Sequence, residues 1–184
     1  DPLWSRGLGD VYKRQLYNVA LFSRLEEMAY QDDLLKIPNR NALIRMLDMT
    51  LSSPNKDDRV LVLLDIDNFS GANTAFGTGY GDFILGLVAN RLRETFDGNV
   101  LIARVRDDLF AVLGPEHQVR AEDIVALFRR PNRPYELGQV HSLSTVTLYL
   151  RDFDDTASVA LQDARLTLKP VSYTHLRAHE TRED

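Results

Sequence analysis

The stretch NVLIARVRDDLFAVLGPE, Asn99 to Glu116, decides how the chain is read. Two apolar segments flank a short polar tip, Arg106-Asp107-Asp108. Two such runs separated by a few polar residues predict a β-hairpin. The tip holds no glycine, asparagine or proline, the residues that usually supply tight-turn geometry. A hairpin turning on arginine and aspartate raises the question of what its turn no longer has to accommodate.

Upstream, RVLVLLDI (Arg59 to Ile66) is an unbroken apolar run. It predicts a strand buried on both faces. NFSGANTAFGTGYGD (Asn68 to Asp82) reads as a glycine-rich connection, followed by a helix from about Tyr80 to Phe96 with Leu85, Val88 and Leu92 inward. Further back, Leu43, Leu47 and Leu51 mark a helix after KIPNR, with Asn39 as its N-cap. Leu21, Leu25 and Met28 mark another between Leu16 and Gln31. That first helix is either a connector from an upstream domain or a packed N-terminal helix. Downstream come a helix over Arg120 to Arg130, weaker strands near Tyr135 to Val140 and Ser144 to Leu150, and a last helix from Asp155 or Thr156 to Lys169. Hairpins mixed with helices predict an α+β fold. Its central, mostly antiparallel sheet of about five strands is wrapped by helices.

The composition suits one soluble domain: 184 residues, 44% hydrophobic and 27% charged. A net charge of -5 argues against non-specific nucleic-acid binding, which needs a basic face. No cysteine is present, which removes disulfides, thiol nucleophiles and cysteine metal sites. The longest apolar run, Val60 to Leu64, is too short to span a bilayer. The expectation is a cytoplasmic protein with no membrane segment in this stretch.

Both ends look foreign. SRGLGDVYKRQ (Ser5 to Gln15) and VSYTHLRAHETRED (Val171 to Asp184) resemble translated sequencing-adapter read-through. Residues 1–15 and 170–184 are therefore expected to be non-native, leaving a connector helix over 16–31 and a domain over 32–169. His175, His179 and Glu180 have a spacing that could bring two imidazoles to one zinc, but they lie in the excluded tail.

Three acids carry the chemistry. Asp65 and Asp67 end the buried strand, and alternation sends both to one face and Ile66 to the other. Asp108 lies at the hairpin tip. If the hairpin packs beside the strand, Asp65 and Asp108 can meet. Two carboxylates with a backbone carbonyl suit Mg²⁺, which completes its shell with water and phosphate. The alternative is that they are solvated strand ends. Asp82 has two readings as well: a charge favouring the positive end of its helix, or oxygens facing a ligand base.

These residues resemble the GGDEF domains of bacterial diguanylate cyclases. DDLLKIPNR (Asp32 to Arg40) resembles D-x-L-T-G-L-x-N-R. LLDIDNFSGANTAFGTGYGD (Leu63 to Asp82) resembles L-x-D-I-D-x-F-K-x-I-N-D-x-F-G-H-x-x-G-D. ARVRDDLFAVL (Ala103 to Leu113) resembles A-R-x-G-G-D-E-F-x-x-L. The resemblance implies an antiparallel sheet wrapped by helices. It also implies one GTP with Mg²⁺ per domain, and two domains facing each other to make cyclic di-GMP. It puts metal on Asp65, the carbonyl of Ile66 and Asp108, and guanine on Asn73 and Asp82.

The signature itself departs from the family: it reads Arg106-Asp107-Asp108-Leu109-Phe110. Arg106 and Asp107 stand where two glycines let the nucleotide lie on bare backbone. Leu109 replaces a glutamate implicated in metal binding and in activating the attacking hydroxyl, and leucine accepts no proton. Leu35, Lys36, Ser70 and Thr78 replace a threonine, a glycine, a lysine and a histidine, and VTLYL lacks the Ser-Ile-Gly of the late strand. The family's phosphate-binding Lys and Arg beyond the last helix would fall in the excluded tail. Asp97 and Val100 occupy the ends of the R-x-x-D inhibitory motif, so no product-inhibition site is expected.

The resemblance therefore implies a degenerate, non-catalytic domain. It would act as a regulatory GTP-binding module beside a sensor or ahead of an EAL phosphodiesterase domain, or self-associate. The alternatives are a weakly active cyclase and a nucleotide-free scaffold for protein partners.

Overall fold

The computed structural model describes residues 3–129 and 142–168, and the side chains of all of these except 3–10 and 129. Four strands form one sheet: β1 (Arg59–Ile66), β2 (Leu101–Arg106), β3 (Leu109–Pro115) and β4 (Leu143–Tyr149). The spatial order is β2-β3-β1-β4, and every pairing is antiparallel. The hairpin of the opening stretch is β2–β3, and it lies directly against β1. About five strands were expected and four occur among the described residues. The stretch Tyr135 to Val140 lies outside them.

β1 shows why its sequence is apolar from Val60 to Leu64. Val60, Val62, Leu64 and Ile66 enter one core and Leu61 and Leu63 the other. Successive side chains of a strand point to opposite faces, so a strand covered on both sides has no polar position to offer.

The described residues form six α-helices, α1 (Leu3–Tyr30), α2 (Arg40–Leu51), α3 (Phe69–Phe76), α4 (Thr78–Thr95), α5 (Ala121–Arg129) and α6 (Ala157–Leu168), of which α2 to α6 pack around the sheet. Ile84, Leu85, Val88 and Leu92 of α4 share the first core with Ile124 of α5. Leu43 and Leu47 of α2 meet Ala160 and Leu161 of α6 in the second. Asn39 caps α2 as expected, its Oδ1 accepting from the backbone N–H of Asn41 at 2.9 Å and of Ala42 at 3.1 Å.

One expectation needs correction. The glycine-rich connection is mostly helical: α3 and α4 occupy it, broken only at Gly77, whose φ of 88° is the left-handed geometry that glycine adopts freely. Helix α4 consequently starts at Thr78, and Asp82 sits a full turn inside it. The dipole effect fades beyond the first turn, so charge at a helix end does not explain Asp82. Helix α1 runs through residues 15 and 16 without a break, and Leu25 and Met28 on its apolar stripe are 54% and 74% exposed.

Candidate functional site

Three segments converge on the end of the sheet where β1 stops. Asp65 and Ile66 are the penultimate and last residues of β1. Beyond them, the backbone N–H of Asp67 donates to the carbonyl of Ser142 at 3.0 Å, and its carboxylate accepts from Ser144 Oγ at 2.6 Å. Asp67 is thus tied to the start of β4. Asp65 lies opposite Leu109 in the β1–β3 register, which puts Asp108 one residue away at the hairpin turn.

Asp65, the Ile66 carbonyl and Asp108 therefore share one sheet end. The donors are all oxygen, and among the described residues no group of three or more acidic or histidine side chains gathers that could hold a metal by itself. That set fits Mg²⁺, which takes one or two carboxylates and leaves its other positions to water and phosphate.

The hairpin turn is tighter than the three-residue tip read from sequence. Arg106 pairs with Leu109, leaving Asp107 and Asp108 as the turn, with a bulge between Arg104 and Arg106. Asp107 has φ 39°, a backbone conformation suited to glycine, at the position where the signature has its second glycine. Lys36 repeats this at φ 53°, where the opening motif has its glycine. Asp108 is partly buried, and burial pushes its carboxyl above the ordinary carboxylate range. The Asp107 charge adds to that rise, while the Asp108 backbone and the Arg106 and Arg104 guanidinium groups oppose it. Arg106 and Asp107 are exposed. Leu109 is not: it is 5% exposed and packs in the second core with Leu43, Leu61 and Leu63. Phe110 is fully buried on the opposite face.

The third segment is the α3–α4 elbow. Asn73 on α3 rests on Gly81 of α4, so closely that a Cβ there would overlap Asn73 Oδ1. That oxygen is buried and has no hydrogen-bond partner. Asp82, next to Gly81, is exposed. The elbow thus places Asn73 beside the residue that precedes Asp82, with one polar atom unsatisfied. Gly81 was not singled out from sequence; the need for bare backbone under an asparagine appears only in three dimensions.

The other positions are placed as follows. Ser70 and Thr78 are exposed on α3 and α4. Val100 is buried, and Asp97 accepts from the Asn99 backbone N–H at 3.0 Å, so both ends of the former inhibitory motif serve the turn into β2. Arg104 and Asp32, joined by an ion pair at 3.2 Å, were not singled out either, although they stand at fixed places in the third and first motifs. His175, His179 and Glu180 lie outside the described residues. No helix is long and apolar enough among the described residues to cross a membrane.

The fold agrees with that of known proteins. The sequence profile of the family described as "Diguanylate cyclase, GGDEF domain" matches residues 29–168. The chain is 31% identical over 119 residues to the bifunctional diguanylate cyclase/cyclic di-GMP phosphodiesterase MucR of Pseudomonas aeruginosa. That alignment covers 62% of this chain and 17% of MucR, so the chain spans a small part of that relative's length. Among solved structures, the GGDEF domain of TpbB from the same species superposes with a TM-score of 0.66 at 29% identity, covering 76% of this chain and 86% of that one. The coiled coil and GGDEF domain of DgcB from Caulobacter crescentus gives a TM-score of 0.70 at 18% identity, covering 91% and 93%, a likeness of fold. An antiparallel sheet with this hairpin, a β1 whose end carries Asp65-Ile66 with Asp67 just beyond it, and a profile match over most of the chain together place it in the GGDEF-domain family of diguanylate cyclases.

Proposed function

We propose that this chain is a degenerate GGDEF domain that binds GTP without cyclising it and acts as a regulatory module in cyclic di-GMP signalling. The observation that carries the reading is Leu109. Where the family has a glutamate, this chain has a leucine that is 5% exposed and built into a core. A leucine side chain can neither take a proton nor hold a metal. Arg106 and Asp107 add exposed side chains where the family's glycines leave room.

The base-reading elbow supports retained binding. Asn73 Oδ1 is a buried acceptor with no partner, which costs free energy that a ligand donor would recover. In this reading Asp82 accepts from the guanine ring N–H and one amino hydrogen, and Asn73 Oδ1 accepts from the other amino hydrogen. Asp65, the Ile66 carbonyl and Asp108 hold Mg²⁺. The ion, when bound, supplies neutralising charge for the phosphates. Its arrival favours the ionised form of Asp108, the form that burial disfavours.

Binding regulates only if GTP prefers one of two states of the larger protein. The partner fitting this role is a phosphodiesterase EAL domain following the GGDEF domain, in line with the bifunctional name of MucR. Calorimetry with GTP and Mg²⁺ tests the reading. Heat that saturates supports it, and its absence at millimolar nucleotide removes it in favour of a nucleotide-free scaffold. Weak cyclase activity is a second reading, favoured by the presence of Asp65 and Asp108 at one sheet end. Incubation with GTP and Mn²⁺ followed by mass detection decides it: cyclic di-GMP above an Asp108→Ala control establishes residual catalysis.

A further inference from the structure

The hairpin turn and the end of α1 are joined by a continuous run of hydrogen bonds. Asn39 Nδ2 donates to the Ala29 carbonyl at 3.0 Å, and Asn41 Nδ2 donates to the same carbonyl at 3.2 Å. The Asn39 backbone N–H donates to the Tyr30 carbonyl at 2.9 Å. Two side chains thus satisfy carbonyls that the end of α1 leaves open, and one of them also caps α2.

The loop between these helices is then tied to β2. The Arg104 backbone N–H donates to the Pro38 carbonyl at 2.9 Å. The Arg104 guanidinium donates to both carboxylate oxygens of Asp32, at 3.3 and 3.2 Å, and its Nε donates to the Asp107 carbonyl at 2.8 Å. Asp32 organises its own loop, accepting from the Leu35 N–H at 2.8 Å through Oδ1 and from the Lys36 N–H at 3.0 Å through its carbonyl.

Two of the three non-glycine residues at positive φ among the described residues, Lys36 and Asp107, are therefore held from opposite ends of one ion pair. The side chains of that pair are only 14% and 19% exposed. Each turn is a strained conformation that persists where its surroundings over-determine it. The bulge next to Arg104 is the kind of irregularity that re-aims a side chain beside a functional site.

We propose that Arg104 is a positioning residue: paired with Asp32, it holds Asp107 in the turn that glycine would adopt unaided and makes the shape of the signature turn depend on the end of α1. A rotation or fraying of α1 that shifts Asp32 withdraws the guanidinium from the Asp107 carbonyl. The turn is then free to relax towards negative φ, carrying Asp108 with it. This holds whether or not the site binds GTP.

Amide hydrogen exchange on the full chain tests it, with Arg104→Lys, Asp32→Asn, Asp107→Gly and the double variant Arg104→Lys/Asp107→Gly. Lysine keeps the charge but cannot engage Asp32 and Asp107 together. Arg104→Lys is expected to speed exchange at residues 107–109 by on the order of tenfold while the centre of β1 keeps its protection. Asp32→Asn is expected to do the same at the turn, although Asp32 does not touch residue 107. In the double variant, glycine should restore protection at the turn, because it needs no guanidinium to hold φ positive. The proposal is overturned if Asp32→Asn loosens only residues 32–37, or if glycine at 107 leaves the turn as loose as Arg104→Lys alone. Should Arg104→Lys fail to fold, Asp32→Asn compared with Asp32→Asn/Asp107→Gly separates the same two outcomes: rescue by glycine supports the proposal, and no rescue overturns it.

Discussion

The hairpin turn and the α3–α4 elbow stand at one end of the same sheet, and they treat their polar atoms in opposite ways. At the turn, the Asp107 carbonyl and the Asp32 carboxylate are both taken up by Arg104, and Leu109 is sunk in the core. At the elbow, Asn73 Oδ1 is buried and unpaired while Asp82 is exposed. A site that closes its hydrogen bonds internally has little left to offer a ligand. A site that keeps a desolvated acceptor open carries a cost that ligand binding removes. The contrast supports a domain that reads a base at the elbow and performs no chemistry at the turn.

The largest effect that can break this contrast is at Leu109. Leu109→Ala should cost about 2–5 kcal/mol in urea or thermal unfolding, the range for a core leucine. A loss below about 1 kcal/mol would mean that the position opens to solvent like the rest of the tip.

Gly81→Ala comes next. The added methyl meets Asn73 Oδ1 and the rest of that side-chain amide, so an overpacking loss of about 1–3 kcal/mol is expected, together with weakened GTP binding. An alanine that is tolerated with full affinity would show that Asn73 is not held as described.

Asp82→Ala should lower GTP affinity about tenfold, or ~1.4 kcal/mol, with no change in melting temperature, since the side chain is exposed. Unchanged affinity would remove the elbow from base recognition.

The smallest effect is pH-dependent. Asp108 has a raised folded-state pKa, so the native protein holds its proton more tightly than the unfolded chain. Stability from this group is greatest below the ordinary carboxylate range and falls as pH rises through the raised value. Asp108→Asn should therefore stabilise slightly at neutral pH and confer no gain in acid. A destabilising Asp108→Asn across the whole pH range would place the carboxylate in a structural bond instead.

Much of this architecture was legible in the sequence because it rests on short-range regularities. The apolar run Arg59–Ile66 matches β1 end to end. Asn39 was recognisable as a cap from its place before an amphipathic helix, and Leu85, Val88 and Leu92 are inward as their spacing required. The α3 helix and the first turn of α4 were hidden because Gly71, Gly79 and Gly81 lower helix propensity, and tertiary packing overrides a weak prior. Asp82 was likewise placed too near its helix start, an error that followed from missing the break at Gly77.

By itself, the sequence determined strands β1 to β4, every helix but α3, the family motifs and the replacement of the glutamate and glycines of the signature. These follow from the identity and spacing of neighbouring residues. Only the tertiary structure decided that Leu109 is a core residue, that Asn73 is left without a partner over Gly81, and that Asp107 and Lys36 keep glycine-like backbone under the Asp32–Arg104 pair. Burial, unsatisfied polar atoms and held strain arise where segments far apart in the chain meet, and a pattern read along one strand or helix contains no trace of that meeting.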